Sequence, residues 1–249
     1  MNAFLQSDNP VPTNHQNHQP KPVRRLLITA GPTHEPIDAV RYLGNRSSGR
    51  LGIALADEAA GRNWTVTLLL GPTNLLPSDS RVKVRRFLTT ADLDGRLKEE
   101  AVECDALVMA AAVADYRPRQ SQGADEKIKR GGSPLTLELD PTPDLLAGIA
   151  AARRPGQLIV GFALEPRSRL MESASAKLVR KGLDLIVANP LETMDAPTID
   201  ATVLDAGGVV YQSDGPIEKA EFAARLLDIV EAALHGRLDA LEAGKVTRE

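Results

Sequence analysis

The sequence predicts a doubly wound α/β architecture: a mainly parallel sheet with helices on both faces and a flexible flap or hairpin between stable elements. Two features carry the prediction. Short runs that are almost wholly apolar, as strands buried on both faces must be, alternate with longer segments whose apolar positions recur at helical spacing. Right-handed crossovers between parallel strands then distribute the helices over both faces. Length and composition bound the answer: 249 residues, 43 % apolar and 25 % charged, can bury a full core and are not the make-up of a disordered chain. Aromatics are scarce, so that core is built from Leu, Val, Ile and Ala.

In chain order, residues 1–22 are rich in Asn, Gln and Pro and hold little to bury, which predicts a disordered tail. His15 and His18 lie there without a scaffold to hold a metal. The folded domain is expected over 23–236, with a charged tail over 237–249. RRLLITA (24–30), bounded by Gly31 and Pro32, reads as the first strand. A polar, glycine-bearing loop (31–49) leads to a helix over 50–63, with Gly61 its expected stop. Strands follow at 64–71 and 82–87, then a helix at 91–103 and a strand opening at 105. Residues 120–134 read as the flap. Thr142 is the expected cap, and Pro143 the first residue, of a helix running to 153. A strand at 157–164, a helix at 168–182 closed by Gly182, a strand at 183–190, a hairpin around Gly207 and Gly208 and a helix at 216–236 complete the pattern. In such a fold ligands bind beyond the strand C-termini, where strand order reverses. The loops after residues 30, 109, 162 and 188 are therefore the places to expect a site.

Several function classes are excluded by composition. A net charge of −3 opposes a general nucleic-acid binder. One cysteine, Cys104, rules out an intramolecular disulfide and a cysteine-cluster metal site. No apolar run approaches the roughly 18 to 20 residues that span a bilayer, and the N-terminus lacks a signal-peptide core. A cytoplasmic protein with no membrane partner is expected.

Candidate chemistry starts after the first strand. Gly31 follows it directly, and Gly44, Gly49 and Gly52 lead into the first helix. Glycines at such a junction let backbone amides approach an anion, aided by the helix N-terminus. The spacing is neither GxGxxG nor GxxxxGK[ST], so a standard dinucleotide fingerprint and a P-loop are both absent. NRSSG (45–49) offers an amide, a guanidinium and two hydroxyls, a set that suits a phosphate or polar acyl group and serves equally as a capping turn. In AAAVADYRP (110–118), small residues leave room for a flat ring and Asp115 can accept from ribose hydroxyls; tight packing with Asp115 in a turn gives the same pattern. Lys127 and Lys129 in EKIKR (126–130) are either phosphate-seeking point charges or an exposed basic loop. Lys177 and Lys181 stand at i,i+4 on one helix face, where a polyanion or solvent would offset their repulsion. His34 has no visible partner set and reads as structural or ligand-adjacent, and Cys104 as an apolar filler. No GxSxG nucleophile and no metal-ligand cluster is visible.

Six ordered blocks go further: TAGPTHEPIDAVRYLGNRSSGRLG (29–52), AAVADYRP (111–118), EKIKR (126–130), PTPDLLAG (141–148), VGFALE (160–165) and KGLDLIVAN (181–189). In order and spacing they resemble the phosphopantothenate–cysteine ligases (phosphopantothenoylcysteine synthetases), often the C-terminal half of a bifunctional coenzyme A biosynthesis flavoprotein. The resemblance runs from about Arg25 to Arg225. It implies a Rossmann-like domain and a two-step reaction through an acyl-nucleotide, in which charge stabilisation and positioning replace a covalent nucleophile. By resemblance, Asn45 holds the acyl-nucleotide and Lys127 helps to form it. Met109, Ala110, Ala111, Asp115, Lys127, Pro143, Asp144, Leu145, Leu146, Phe162, Lys177 and Lys181 match nucleotide-pocket positions. Gly44, Asn45, Arg46, Ser47, Ser48 and Gly49 match the acyl-substrate loop. CTP is the implied co-substrate with ATP the alternative, and Mg²⁺ would bridge phosphate oxygens, its protein ligands unassigned.

The same resemblance implies small-molecule partners only, no flavin and a homodimer. With a short polar stretch ahead of the folded region, any decarboxylase partner is expected on a separate chain. Two positions depart from the common pattern: the loop reads GNRSSGR, and Thr142 stands where Asn is frequent. A nicotinamide-dependent oxidoreductase is the competing reading. The strand–glycine–helix opening supports it; the missing GxGxxG, and Gly71 after Leu70 where an acid is required, oppose it. A third reading, a nucleotide-binding scaffold without turnover, is opposed by the retained Asn45, Lys127, Lys177 and Lys181.

Overall fold

A computed structural model describes residues 23–119 and 126–246, with side chains up to residue 236. The expected N-terminal tail, residues 120–125 of the expected flap and the last three residues lie outside it. The chain opens with β1 (Arg25–Ala30), a hairpin of β2 (His34–Pro36) and β3 (Tyr42–Gly44), and α1 (Arg50–Gly61). β4 (Thr65–Leu70), β5 (Lys83–Arg86), α2 (Thr90–Glu100) and β6 (Ala106–Met109) follow. A ribbon of β7 (Tyr116–Pro118) and β8 (Leu139–Pro141) precedes α3 (Leu145–Ala152), β9 (Leu158–Glu165), α4 (Leu170–Lys181) and β10 (Leu185–Pro190). Short β11 (Thr198–Ile199), the hairpin β12 (Thr202–Asp205) and β13 (Gly208–Gln212), β14 (Ile217–Glu218) and α5 (Lys219–Val246) end the described chain.

Among the described residues, eight strands form one sheet in the order β13-β12-β10-β9-β6-β1-β4-β5. The six from β10 to β5 are parallel, and β12 and β13 add an antiparallel edge. Alternation along each strand feeds two cores. Leu26, Ile28 and Ala30 of β1 pack with Ala56 of α1 and Phe222, Leu226 and Val230 of α5. Leu27, between them, faces the opposite layer with Leu93 and Leu97 of α2 and Leu178 of α4. Each fully buried Leu is worth about 1.5–3 kcal/mol over exposure, so the apolar runs have no face to spare for solvent.

Local chemistry differs from the sequence reading in places. Asp144, not Thr142, caps α3: its carboxylate accepts from the Ala147 N–H at 3.1 Å, and Pro143 lies outside the helix. Thr142 instead donates its hydroxyl to the Ala114 carbonyl. Gly61 stays inside α1; the left-handed residue is Asn63 (φ 67°), after which the Trp64 N–H returns to the Ala59 carbonyl at 3.0 Å. The hairpin β2–β3 and the ribbon β7–β8 were not expected, because strands of three residues are too short to show a period of two. The last helix starts at Lys219 and continues past Gly236 to Val246. Residues 126–134, the described part of the expected flap, are exposed and form no regular element.

Candidate active site

The chain leaves β1 towards β4 and β5 on one side and returns to β6, β9 and β10 on the other. Strand order reverses between β1 and β6, and the C-terminal ends of these neighbours open onto a cavity of about 730 Å³. All four expected places reach it: residues 44–52 beyond β1, 109–115 at and after the end of β6, Phe162, Leu164 and Glu165 at the end of β9, and Asn189, Thr193, Met194 and Asp195 at and after the end of β10.

The first loop is held by its own hairpin. Gly49 sits at the N-cap of α1 in the left-handed conformation (φ 74°), where a side chain would be strained. Gly52 rides directly on β1; a Cβ there would lie 2.5 Å from that of Ala30. The first turn of α1 is thus pressed against the strand end, with its free N–H groups at the cavity. The loops after β1 and β6 are stitched together. Thr29 Oγ1 accepts from the Ala111 N–H at 3.1 Å, Thr33 Oγ1 from the Ala114 N–H at 2.9 Å, and Asn45 Nδ2 donates to the Val113 carbonyl at 2.9 Å. The remaining N–H and the side-chain oxygen of Asn45 give one donor and one acceptor for a ligand.

The far wall is charged. Lys181 lies 2.8 Å from both oxygens of Asp144, and Lys177 Nζ donates to the Phe162 carbonyl at 2.6 Å. Burial, reinforced by Lys181, lowers the pKa of Lys177. For Asp144, burial works to raise the pKa, but the Lys181 ammonium and the Ala147 N–H outweigh it and hold the carboxyl below its ordinary range. The repulsion expected between the two lysines is therefore already relieved in part by Asp144, which the sequence reading did not pair with them. Across the cavity Arg46 Nε meets Asp195 Oδ2 at 3.1 Å; Asp195 occupies a left-handed position (φ 59°).

Gly44 to Gly49, Met109 to Ala111, Asp115, Pro143 to Leu146, Phe162, Lys177 and Lys181 all line this one cavity. Lys127 does not; it is exposed on the segment beside the hairpin. His34 does not line it either and stacks on Tyr42, ring centroids 3.6 Å apart. Sequence reasoning missed Arg50, Asn189, Thr193, Asp195 and Lys219 as lining residues. The position of NPLETMD (189–195) after a strand was a signal for three of them; nothing marked Lys219, whose pKa burial lowers. Among the described residues no group of three or more His, Cys, Asp or Glu is placed to hold a metal ion, and no helix is long and apolar enough to cross a membrane. The strand order matches that of dinucleotide-binding domains, but a whole hairpin, β2–β3, occupies the place of the tight glycine turn on which their cofactor rests. The oxidoreductase reading is not favoured.

The sequence pattern of the DNA/pantothenate metabolism flavoprotein C-terminal domain matches residues 22–234. A cysteine/cysteine sulfinic acid decarboxylase from an unidentified prokaryote is 46 % identical over 216 residues, which are 85 % of this chain and 59 % of that protein. The coenzyme A biosynthesis bifunctional protein CoaBC of Mycobacterium tuberculosis is 42 % identical over 228 residues, 86 % of this chain and 53 % of that one. The chain thus spans little more than half the length of these curated relatives. The crystal structure of the C-terminal domain of CoaBC superposes with a TM-score of 0.72 at 31 % identity, covering 86 % of this chain and 96 % of that one. A histidine-to-alanine mutant of Cab2 in complex with phosphopantothenate-cysteine shares the fold, with a TM-score of 0.74 at 20 % identity over 88 % of this chain and 89 % of that one. By the match over almost all of its folded length, the chain belongs to the family of the DNA/pantothenate metabolism flavoprotein C-terminal domain.

Proposed function

We propose that the chain is a phosphopantothenate–cysteine ligase of coenzyme A biosynthesis. The carboxylate of 4′-phosphopantothenate attacks the α-phosphate of a nucleoside triphosphate and expels pyrophosphate. The amine of L-cysteine then attacks the acyl carbon of the anhydride, forms the amide and expels the nucleoside monophosphate. The observation that supports this best is the convergence on one cavity of the α1 N-terminus, the Asn45 loop and the paired lysines of α4. The lysines suit a polyphosphate, the small residues 110–112 a flat base, and Asn45 an acyl oxygen. The names of the CoaBC relatives, and the compound held by the same-fold Cab2 mutant, agree with this reading.

CTP is the proposed nucleotide. Mg²⁺ fits a site of this kind, since that ion is commonly held by one or two carboxylates and substrate phosphates; of the carboxylates lining the cavity, Asp144 and Asp195 are paired with Lys181 and Arg46, so Asp115 and Glu165 are the ones that would hold the ion, and it would neutralise phosphate charge. A homodimer is the proposed state, supported by exposed Val40, Tyr42, Tyr116, Leu135, Leu137 and Leu139 on and beside the hairpin and ribbon, and the cytoplasm is the proposed location. Incubation with phosphopantothenate, L-cysteine and either CTP or ATP tests the proposal. Cysteine-dependent release of amide, monophosphate and pyrophosphate is expected. No consumption of either nucleotide with both co-substrates present would overturn it.

A further inference from the structure

One buried carboxylate has no part in the cavity and yet grips the segment that carries Lys127. Asp38, in the turn of the β2–β3 hairpin, is buried. Its Oδ1 accepts from the N–H groups of Val40 (2.9 Å) and Arg41 (2.8 Å), which shapes the turn. Its Oδ2 accepts from Arg41 Nε at 3.0 Å and from Arg41 Nη2, and also from the Ile128 N–H at 3.1 Å, ninety positions away. The same Arg41 Nη2 donates to the Ile128 carbonyl at 3.2 Å. Both backbone groups of Ile128 are thus held by one ion pair, although residues 126–134 are otherwise exposed and without regular structure. Hydrogen bonds to ionised partners are the strong ones, and this carboxylate is held well below the ordinary range, first by the Arg41 guanidinium.

We infer that Asp38 and Arg41 are positioning residues that clip Ile128 and so set the path of the backbone on either side of it, which carries Lys127 and Lys129. The hairpin that holds this clip also ends at Gly44, directly before Asn45. The group assigned to forming the acyl-nucleotide and the group assigned to holding it are thereby tied to one two-stranded element, Asn45 through the chain and Lys127 through the clip. The inference rests on the ligase reading for the role of Lys127, but the clip itself can be measured without turnover.

The test uses the full chain. Asp38→Asn keeps an oxygen for the turn but sets an amide donor against the Ile128 N–H and the guanidinium. Ile128→Pro removes the clipped N–H from an exposed position and leaves the hairpin intact, which covers the case that Asp38→Asn folds poorly. Tryptic cleavage after Lys129 and Arg130, followed by mass spectrometry, reads the clip; in both variants it should accelerate roughly tenfold or more. Rapid-quench kinetics read the consequence. Formation of the acyl-nucleotide should slow by on the order of 100-fold, the usual penalty for about 1 Å of misplacement, while cysteine capture of intermediate once formed keeps its rate. Unchanged cleavage in both variants overturns the clip. Faster cleavage with wild-type intermediate formation, or equal loss of both steps in parallel with melting temperature, overturns the positioning role. If the wild-type chain itself consumes no nucleotide, the ligase reading falls and the cleavage experiment alone decides the clip.

Discussion

Replacing Gly52 by alanine would set a methyl carbon 2.5 Å from the Cβ of Ala30 and 3.3 Å from the Thr29 carbonyl oxygen. Ordinary carbon–carbon contact is about 3.5–4.0 Å, so the first turn of α1 must retreat from β1 by about 1 Å. Overpacking of this kind costs about 1–3 kcal/mol, and exchanging glycine for alanine inside a helix returns up to about 1 kcal/mol. The net loss is on the order of 1 kcal/mol, which lowers Tm by about 2–4 °C in a domain of this size. Activity should fall much further. The turn that moves presents its N–H groups to the cavity, and a shift of about 1 Å there is worth on the order of 100-fold in kcat/KM. Thermal melting and nucleotide consumption, measured on the same preparation at a temperature well below Tm, separate the two effects. A Gly52→Ala enzyme with wild-type kcat/KM would show that the α1 turn does not touch the reacting groups. A rate that falls only in proportion to the folded fraction would show the same.

The other expectations follow from single contacts. Lys177→Met removes a buried ammonium whose pKa burial has lowered. Because the unfolded lysine binds its proton more tightly, the wild-type native state gains stability as pH rises through the lowered value towards the ordinary lysine range. The methionine variant should lose that alkaline gain, melt no lower than wild type near pH 7 without nucleotide, and give no melting shift with CTP; a full nucleotide shift would refute the role of Lys177. Asn45→Ala removes the tie to Val113 and should let acyl-nucleotide accumulate in rapid-quench assays, with amide formation down by roughly 100-fold. Lys127→Ala lies on an exposed segment, so Tm should hold within about 1 °C while the intermediate fails to form; wild-type accumulation of intermediate would remove Lys127 from the chemistry.

Much of the fold was legible because its signals are local. The runs that became β1, β4, β6, β9 and β10 are apolar on both faces, and the segments of α1, α2 and α4 carry their apolar residues at helical spacing; each signal needs only a few neighbouring residues. Caps were less legible, since several residues near a helix start can accept the same N–H: Thr142 is the cap expected from the sequence, but its hydroxyl donates to the Ala114 carbonyl and Asp144 takes the cap position. The hairpin β2–β3 and the ribbon β7–β8 were hidden because three-residue strands hold no measurable period, and their pairing is a property of the partner strand.

The amino-acid order alone determined the alternation of strands and helices, and with it the four loops where a ligand could sit, because hydrophobic period is written in adjacent residues. Only the tertiary structure decided that those loops share one cavity, that Asp144 neutralises Lys181, that Arg46 reaches Asp195, and that Lys127 stands outside beside a clip formed by Asp38 and Arg41. These contacts join positions tens of residues apart, through hydrogen bonds and charges that a polar side chain makes equally well with any partner the fold brings near.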